Sequence, residues 1–323
     1  MTVAPTGSQT SLARPTLPRS GLDSTACPAC GRDTVSTRLV VHEDDDPYRL
    51  FRCPGCRTQF LRPDASHPQW ADESRYWEHK EYKIEMYAST DVRDDYDDRY
   101  RTVLARVQAE IGEIRTVLDV GCGVGNFLSL AGREGLDAVG VDVDPRPVEA
   151  ARGAGLRAYT TAELDQHVPD ATMDAATMWD VIEHVVDPGA LLRDAVRKLR
   201  PGGLVVIETP DALFPLRPVA RGLHYASGGR AGLARRLYYW EHKTYFSERG
   251  LRRLLAAVGC ETVIVERLTS PRAKMTHLLA RWAEDGMAAR LLSRTWPVLE
   301  ATTRHLGRGN KLLVVARTGP GPR

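Results

Sequence analysis

The chain has 323 residues, 42% hydrophobic and 27% charged, enough for one large or two modest domains with a proper core. Its 44 Lys and Arg nearly cancel its 42 Asp and Glu, and a net charge of +2 excludes the strongly basic class of dedicated nucleic-acid binder. No run of about 18 uninterrupted apolar residues exists and the first 24 residues lack an apolar core, so neither a membrane span nor a secretory leader is expected, and the expected compartment is the cytoplasm.

Residues 1–24 set Pro5, Pro15 and Pro18 among Ser and Thr without helical or strand period, and read as a disordered tail. Residues 25–63 contain Cys27-Pro-Ala-Cys30 and Cys53-Pro-Gly-Cys56, two C-x2-C pairs with 22 residues between them. That is the spacing of two knuckles holding one tetrahedral Zn2+, and four thiolate ligands leave no open coordination position, so the metal is expected to be structural. Gly31 and Gly55 let backbone amides turn toward the sulfurs, and strand-like stretches at 35–41, 48–52 and 58–61 complete a small zinc ribbon. Residues 64–101, with Trp70, Tyr76, Trp77, Tyr82 and Tyr87, read as a helical linker or cap. Within them Asp91, Asp94, Asp95, Asp97 and Asp98 read as a solvated face.

From 102 to 323 short apolar strands alternate with helices, the pattern of a parallel, doubly wound α/β sheet. Strands are expected at 116–120, 138–141, 157–159, 175–179, 204–209, 262–266 and 311–317. Helices are expected at 126–134, 147–154, 189–199 and 247–258. Two insertions interrupt the rhythm, at about 211–246, with six Arg or Lys against two acids, and about 267–310, with eight against three. Gly228, Gly229 and Gly232 in the first, and Leu278, Leu279, Trp282, Leu291 and Leu292 at helical spacing in the second, make both read as helical lids and not as sheet.

Asp119-Val-Gly121-Cys122-Gly123-Val-Gly125-Asn126 places three glycines at a strand-to-helix turn, where backbone approaches a ligand closely and helix amides point into the site. Asp142 ends the next strand, 21 residues after Gly121, where a carboxylate can accept hydrogen bonds from both ribose hydroxyls of a nucleoside. V-L-D-V-G-C-G-V-G-N, V-G-V-D-V-D-P, M-D-A-A-T-M-W-D-V-I-E-H-V-V-D-P and L-R-P-G-G-L-V-V-I-E-T-P, in this order over roughly 115–317, resemble class I S-adenosylmethionine-dependent methyltransferases.

That resemblance implies a Rossmann-like seven-stranded sheet whose last strand runs antiparallel. It implies that Asp119, Gly121, Cys122, Gly123, Gly125 and Asn126 cradle the methionine moiety of S-adenosylmethionine, with the Cys122 thiol as packing. It further places Asp142 on the ribose, Val143 against the adenine with Ala162 and Glu163 beside it, and Trp179 and Asp180 facing the sulfonium. The ribbon, with Y-R-L-F-R-C-P-G-C-R-T-Q-F-L-R-P, resembles bacterial methyltransferases carrying an N-terminal zinc ribbon, which often act in glycan or natural-product pathways. Zinc-ribbon methyltransferases of ribosomal RNA share the arrangement.

Asp180-Val-Ile-Glu183-His184 follows the fourth strand and Glu241-His242-Lys243 closes the first insertion. The D-x-x-E-H pattern resembles the E-x-x-E-H of metal-dependent small-RNA 3′-terminal 2′-O-methyltransferases, departing at Asp180, and an acidic-His segment of ubiquinone-pathway O-methyltransferases. Three readings stay open: His184 and His242 as general bases beside Glu183, Mg2+ or Mn2+ held by Asp180, Glu183, His184 and His242, or a structural role. His167, His224 and His305 have no such company and read as surface or packing residues. The expected acceptor is a small molecule or a glycan intermediate, with the basic insertion available to a phosphate on it. RNA is a rival acceptor, and a non-catalytic cofactor-binding scaffold whose ribbon recruits a partner is a rival class. The apolar and Arg-bearing stretch 213–221 also reads as a peripheral membrane contact.

Overall fold

Runs such as Thr116–Val120, buried almost throughout, have no polar alternation to offer a solvent face, which is what a central parallel strand requires. The computed structural model describes residues 26–43, 46–63, 85–87, 89–229, 232–283 and 287–319. The N-terminal tail and Trp70, Tyr76, Trp77 and Tyr82 lie outside the described residues.

Near the N-terminus, β1 (Val35–Glu43), β2 (Asp46–Arg52) and β3 (Gln59–Pro63) form an antiparallel meander. Helix α1 (Thr90–Ile111) leads into the alternating region. There follow β4 (Thr116–Val120), α2 (Asn126–Arg133), β5 (Asp137–Asp142), α3 (Pro145–Gly153), β6 (Ala158–Thr160), α4 (Leu164–His167), β7 (Met173–Trp179), α5 (Pro188–Lys198) and β8 (Leu199–Pro210). The first insertion forms α6 (Leu216–Ala226), α7 (Leu233–Leu237) and β9 (Thr244–Tyr245). Next come α8 (Glu248–Ala257) and β10 (Cys260–Leu268), then α9 (Arg272–Ala283) and α10 (Met287–His305) of the second insertion, and β11 (Lys311–Thr318).

The large sheet has the order β10-β11-β8-β7-β4-β5-β6, with β11 antiparallel to both neighbours, as the family resemblance implies. Caps mark the helix starts: Asp144 accepts from Arg146 N and Asp187 from Ala190 N, each just ahead of a proline in the first turn. All seven expected strands form within a few residues of their expected limits, because a buried hydrophobic run and its Gly or Pro stops are local signals.

Two expectations are corrected. The first insertion is not wholly helical, since β9 pairs antiparallel with β3 (Gln59 with Tyr245, Phe60 with Thr244) and Leu61 N donates to Lys243 O at 3.0 Å. An edge strand leaves a row of unpaired backbone groups, and two residues of the insertion satisfy part of that row. The aspartates of α1 are not simply solvated. Asp91 pairs with His277, Asp95 accepts from Ala273 N at 2.6 Å, and Asp97 pairs with Arg133, so two of them anchor α9.

Both insertions also share a core with the cysteine-bearing sheet. Leu39, Val41 and Leu50 are buried together with Phe214, Tyr238 and Tyr245 of the first insertion and Met275, Leu279 and Trp296 of the second. Leu291, by contrast, is 65% exposed and falls outside that core.

Candidate active site

The turn after β4 depends on left-handed backbone, with φ of 73° at Gly121, 53° at Gly123 and 86° at Gly125. At Gly121 a Cβ would lie 2.5 Å from Val181 Cγ2, so this position admits neither the conformation nor the volume of a larger residue. The thiol of Cys122 is buried and pushed up by burial, and it packs where Gly140 leaves room. Asn126 Nδ2 donates to Tyr87 O at 3.0 Å, tying the start of α2 to the segment before α1.

Asp142, at the end of β5, accepts from Gly123 N on Oδ2 at 3.0 Å and from Asp144 N on Oδ1 at 3.1 Å. Each carboxylate oxygen keeps a further lone pair, so the group can still accept two hydroxyls. Val143 beside it is 40% exposed, an apolar residue at the mouth of the turn. Ala162 is exposed, and Glu163 closes a capping box on Thr160 and pairs with Arg152, holding its carboxyl down at about 2.

Asp119 is 2% exposed and accepts from Thr177 Oγ1 at 2.7 Å. Burial, opposed by that hydroxyl and reinforced by Asp142, pushes its carboxyl up to about 8. Because the folded value exceeds the unfolded one, the folded chain binds more protons between about pH 4 and 8, so stability falls as pH rises through that window. Denaturant titrations of the unliganded protein are expected to show this slope and Asp119→Asn to flatten it; an unchanged slope in the variant would remove the assignment.

Trp179, at the end of β7, packs its ring in tilted contact with Tyr100 (4.7 Å, 52°) and Phe127 (5.4 Å, 44°), while its buried Nε1 has no hydrogen-bond partner among the described residues. Asp180 follows in left-handed backbone (φ 57°), its carboxylate paired with Lys274 at 3.0 Å and with Lys311. Two lysines therefore occupy Asp180, and it is not among the clustered metal-capable groups, a correction to the four-ligand reading. No local signal marks Lys274, which arrives from α9 some ninety residues later.

Glu183, His184 and His242 do converge, with one donor atom from each within 4.8 Å of the others. The imidazole rings of His184 and His242 are 4.6 Å apart at 74°. His184 Nδ1 lies 3.0 Å from Glu241 O; a carbonyl only accepts, so Nδ1 carries a proton, and in the neutral ring the lone pair is on Nε2. His242 Nε2 is 2.6 Å from Tyr239 Oη, a partner three residues upstream that the sequence reading missed. Glu183 is fully buried: Oε2 accepts from Thr209 Oγ1 at 2.8 Å, Oε1 has no hydrogen-bond partner among the described residues, and burial pushes the carboxyl up to about 8. Lys243 Nζ on His184 O (2.6 Å) and Thr244 N on Glu183 O (3.1 Å) lock the two segments together.

The four ribbon sulfurs form the second metal-capable group. Cys27 and Cys56 approach to 3.5 Å and Cys30 and Cys53 to 3.6 Å, with all four within 4.8 Å and no disulfide. Tetrahedral Zn–S bonds of about 2.3 Å require S···S separations of roughly 3.8 Å, so the donor set and its size fit Zn2+. Cys56 N lies 3.4 Å from Cys53 Sγ, an amide turned toward sulfur.

A family model described as a methyltransferase domain matches residues 60–265. The chain belongs to this methyltransferase family. An uncharacterized methyltransferase of Mycobacterium sp. (strain JLS) is 41% identical over 120 residues, covering 36% of this chain and 48% of that one. A ubiquinone biosynthesis O-methyltransferase of Aliivibrio fischeri (strain MJ11) is 33% identical over 102 residues, covering 29% of this chain and 44% of the relative. The chain thus spans about half the length of the curated relatives it matches. Among solved structures, Haemonchus contortus phospholethanolamine N-methyltransferase 2 superposes with a TM-score of 0.52 at 15% identity, over 88% of this methyltransferase-family chain and 71% of the other, a likeness of fold.

Proposed function

We propose that this chain transfers a methyl group from S-adenosylmethionine to an oxygen of a small-molecule, glycan or natural-product intermediate, with His184 and His242 handling the proton. The observation that carries this reading is the convergence of two histidine rings 4.6 Å apart, His184 just after β7 of the large sheet that carries the glycine turn and Asp142, and His242 just before β9 of the small sheet. Partial identity to ubiquinone biosynthesis O-methyltransferases supports oxygen as the attacking atom. We read the four-cysteine group as a structural zinc ribbon, with residues 25–63 as a unit built onto the catalytic region.

S-adenosylmethionine, when bound, supplies a methyl group already activated on a sulfonium. The protein then has to hold the acceptor in line and take its proton. The Gly121–Gly125 turn, its amides at 121, 122, 123 and 125 donating within the protein, would let the backbone pack closely against the methionine moiety, and Asp142 would accept from the ribose hydroxyls. The buried Trp179 Nε1 is a donor for an acceptor atom on the ligand. His184 Nε2 takes the hydroxyl proton, while Nδ1–H on Glu241 O keeps the ring in the required tautomer. Tyr239 steadies His242.

One observation favours a second reading. The buried Glu183 Oε1 beside two histidines is an N, N, O donor set that suits a divalent ion such as Mg2+ or Mn2+, which would supply Lewis-acid polarisation of the acceptor oxygen.

The test is methyl transfer to a panel of hydroxylated acceptors, read as S-adenosylhomocysteine release. His184→Ala is expected to lower kcat by about 100- to 10,000-fold with S-adenosylhomocysteine affinity unchanged. Turnover that needs added Mg2+ or Mn2+ and intact Glu183 would select the second reading. Absence of S-adenosylhomocysteine binding to the wild-type protein would defeat both.

A further inference from the structure

Helix α6 turns its arginines inward and leaves several apolar side chains exposed. Its arginines face inward: Arg217 is 4% exposed, its guanidinium bonded to Asp211 O and Leu237 O and lying 4.0 Å from the Tyr245 ring centroid. Arg221 Nη1 donates to Gln59 Oε1 (3.1 Å) and Tyr238 Oη (3.0 Å). Apolar side chains also stand outward, with Val219 51% and Leu223 48% exposed on one face, Tyr225 46% exposed on another side of the helix, and Leu213 in the preceding loop 37% exposed, while Leu216 and Ala220 pack inward. Burying guanidinium groups while leaving Val, Leu and Tyr in water reverses ordinary partition, and makes physical sense when the outer face does not work in water.

We infer that this face is a peripheral membrane contact, laid flat on a bilayer bearing anionic phospholipid headgroups. Charge chooses the occupant. Between residues 212 and 240 the sequence has no Asp or Glu to repel an anionic surface, and while Arg217 and Arg221 are turned inward, Arg235 of α7, which packs on α6, is exposed as a cation available to it. Beside it, and continuous with it through Leu213 and Pro215, opens a cleft of about 300 Å³. The cleft is also lined by Leu306, 67% exposed, and by the exposed Arg308, a cation placed for a headgroup phosphate beside apolar surface.

Size argues against a second copy of the chain, because four side chains offer on the order of a few hundred Å² where a stable partner interface takes roughly 800 Å² per side. Eleven helical residues span about 16 Å, so the helix lies on a bilayer, and no described helix is long and apolar enough to cross one. The inference stands on this face alone, whatever the site methylates.

Flotation of the full chain with vesicles tests it, without cofactor or acceptor. At low salt the protein is expected to float with vesicles of about one third phosphatidylglycerol in phosphatidylcholine, and to stay behind with phosphatidylcholine alone. Val219→Glu combined with Leu223→Glu is expected to weaken partition at least about tenfold, and Arg308→Glu severalfold, with melting temperature and S-adenosylhomocysteine affinity retained. A wild-type protein that ignores anionic vesicles overturns the inference, as does a folded double variant that floats equally well. A dimer that the double variant dissociates, without vesicle binding, also overturns it, in favour of a second copy.

Discussion

Asp142→Ala is expected to weaken S-adenosylhomocysteine binding by about 100- to 10,000-fold, because two hydrogen bonds to a carboxylate contribute about 1.5–3 kcal/mol each. The side chain is oriented before any ligand arrives. Amides from Gly123, in the glycine turn, and Asp144, two residues on, each take one oxygen and leave the carboxylate plane fixed. Burial raises its protonation above the usual carboxylate range, so a bound diol also relieves a desolvated charge. Losing the bonds from both Gly123 N and Asp144 N, offset in part by removal of a desolvated carboxylate, costs the unliganded fold about 1–3 kcal/mol, so the melting temperature should fall by several degrees while affinity collapses. Asp142→Asn keeps one acceptor oxygen and should fall between. Calorimetric titration of the three proteins decides the matter, and undiminished affinity in the Ala variant would remove the ribose assignment.

Cys53→Ser is expected to abolish zinc binding and lower stability by several kcal/mol, with the loss reaching the histidine pair. The knuckles are built into the main core: Cys27, Cys53 and Cys56 are fully buried and cluster with Phe246, Leu251 and Leu254. Ser247 couples the two regions, its hydroxyl donating to Cys56 O at 2.5 Å while accepting from Gly250 N at the start of α8. Gly250 is required there, since a Cβ would sit 2.0 Å from Thr58 Oγ1. Through β3 and β9 the ribbon also holds the strand that follows His242. Metal analysis with thermal denaturation, on the variant and on wild type after chelation, should show both effects together. A metal-free variant with a wild-type melting curve would show the ribbon to be dispensable.

The pieces of this protein that are local in sequence were legible there. Strand and helix order follows from hydrophobic period and from Gly and Pro stops. The glycine turn with Asp142 follows from close-approach geometry, and the cysteine set from ligand spacing. Each depends on residues within a few positions of one another or at a spacing set by one loop. What tertiary structure decided depends on groups brought together across long stretches of chain. Asp180 is occupied by Lys274 and Lys311, and Asp95 by the backbone of α9, because ion pairs and caps form with whatever the fold delivers. Residues 244–245 became a strand because β3 presented an open edge; Thr244 and Tyr245 both favour strands, but a two-residue run is too short to announce one. The composition of α6 was plain in the sequence, but which of its faces would be buried was not. An amphipathic period gives two faces, and the neighbouring carbonyls and tyrosine rings that receive Arg217 determined that it would be buried while Val219 and Leu223 stay exposed.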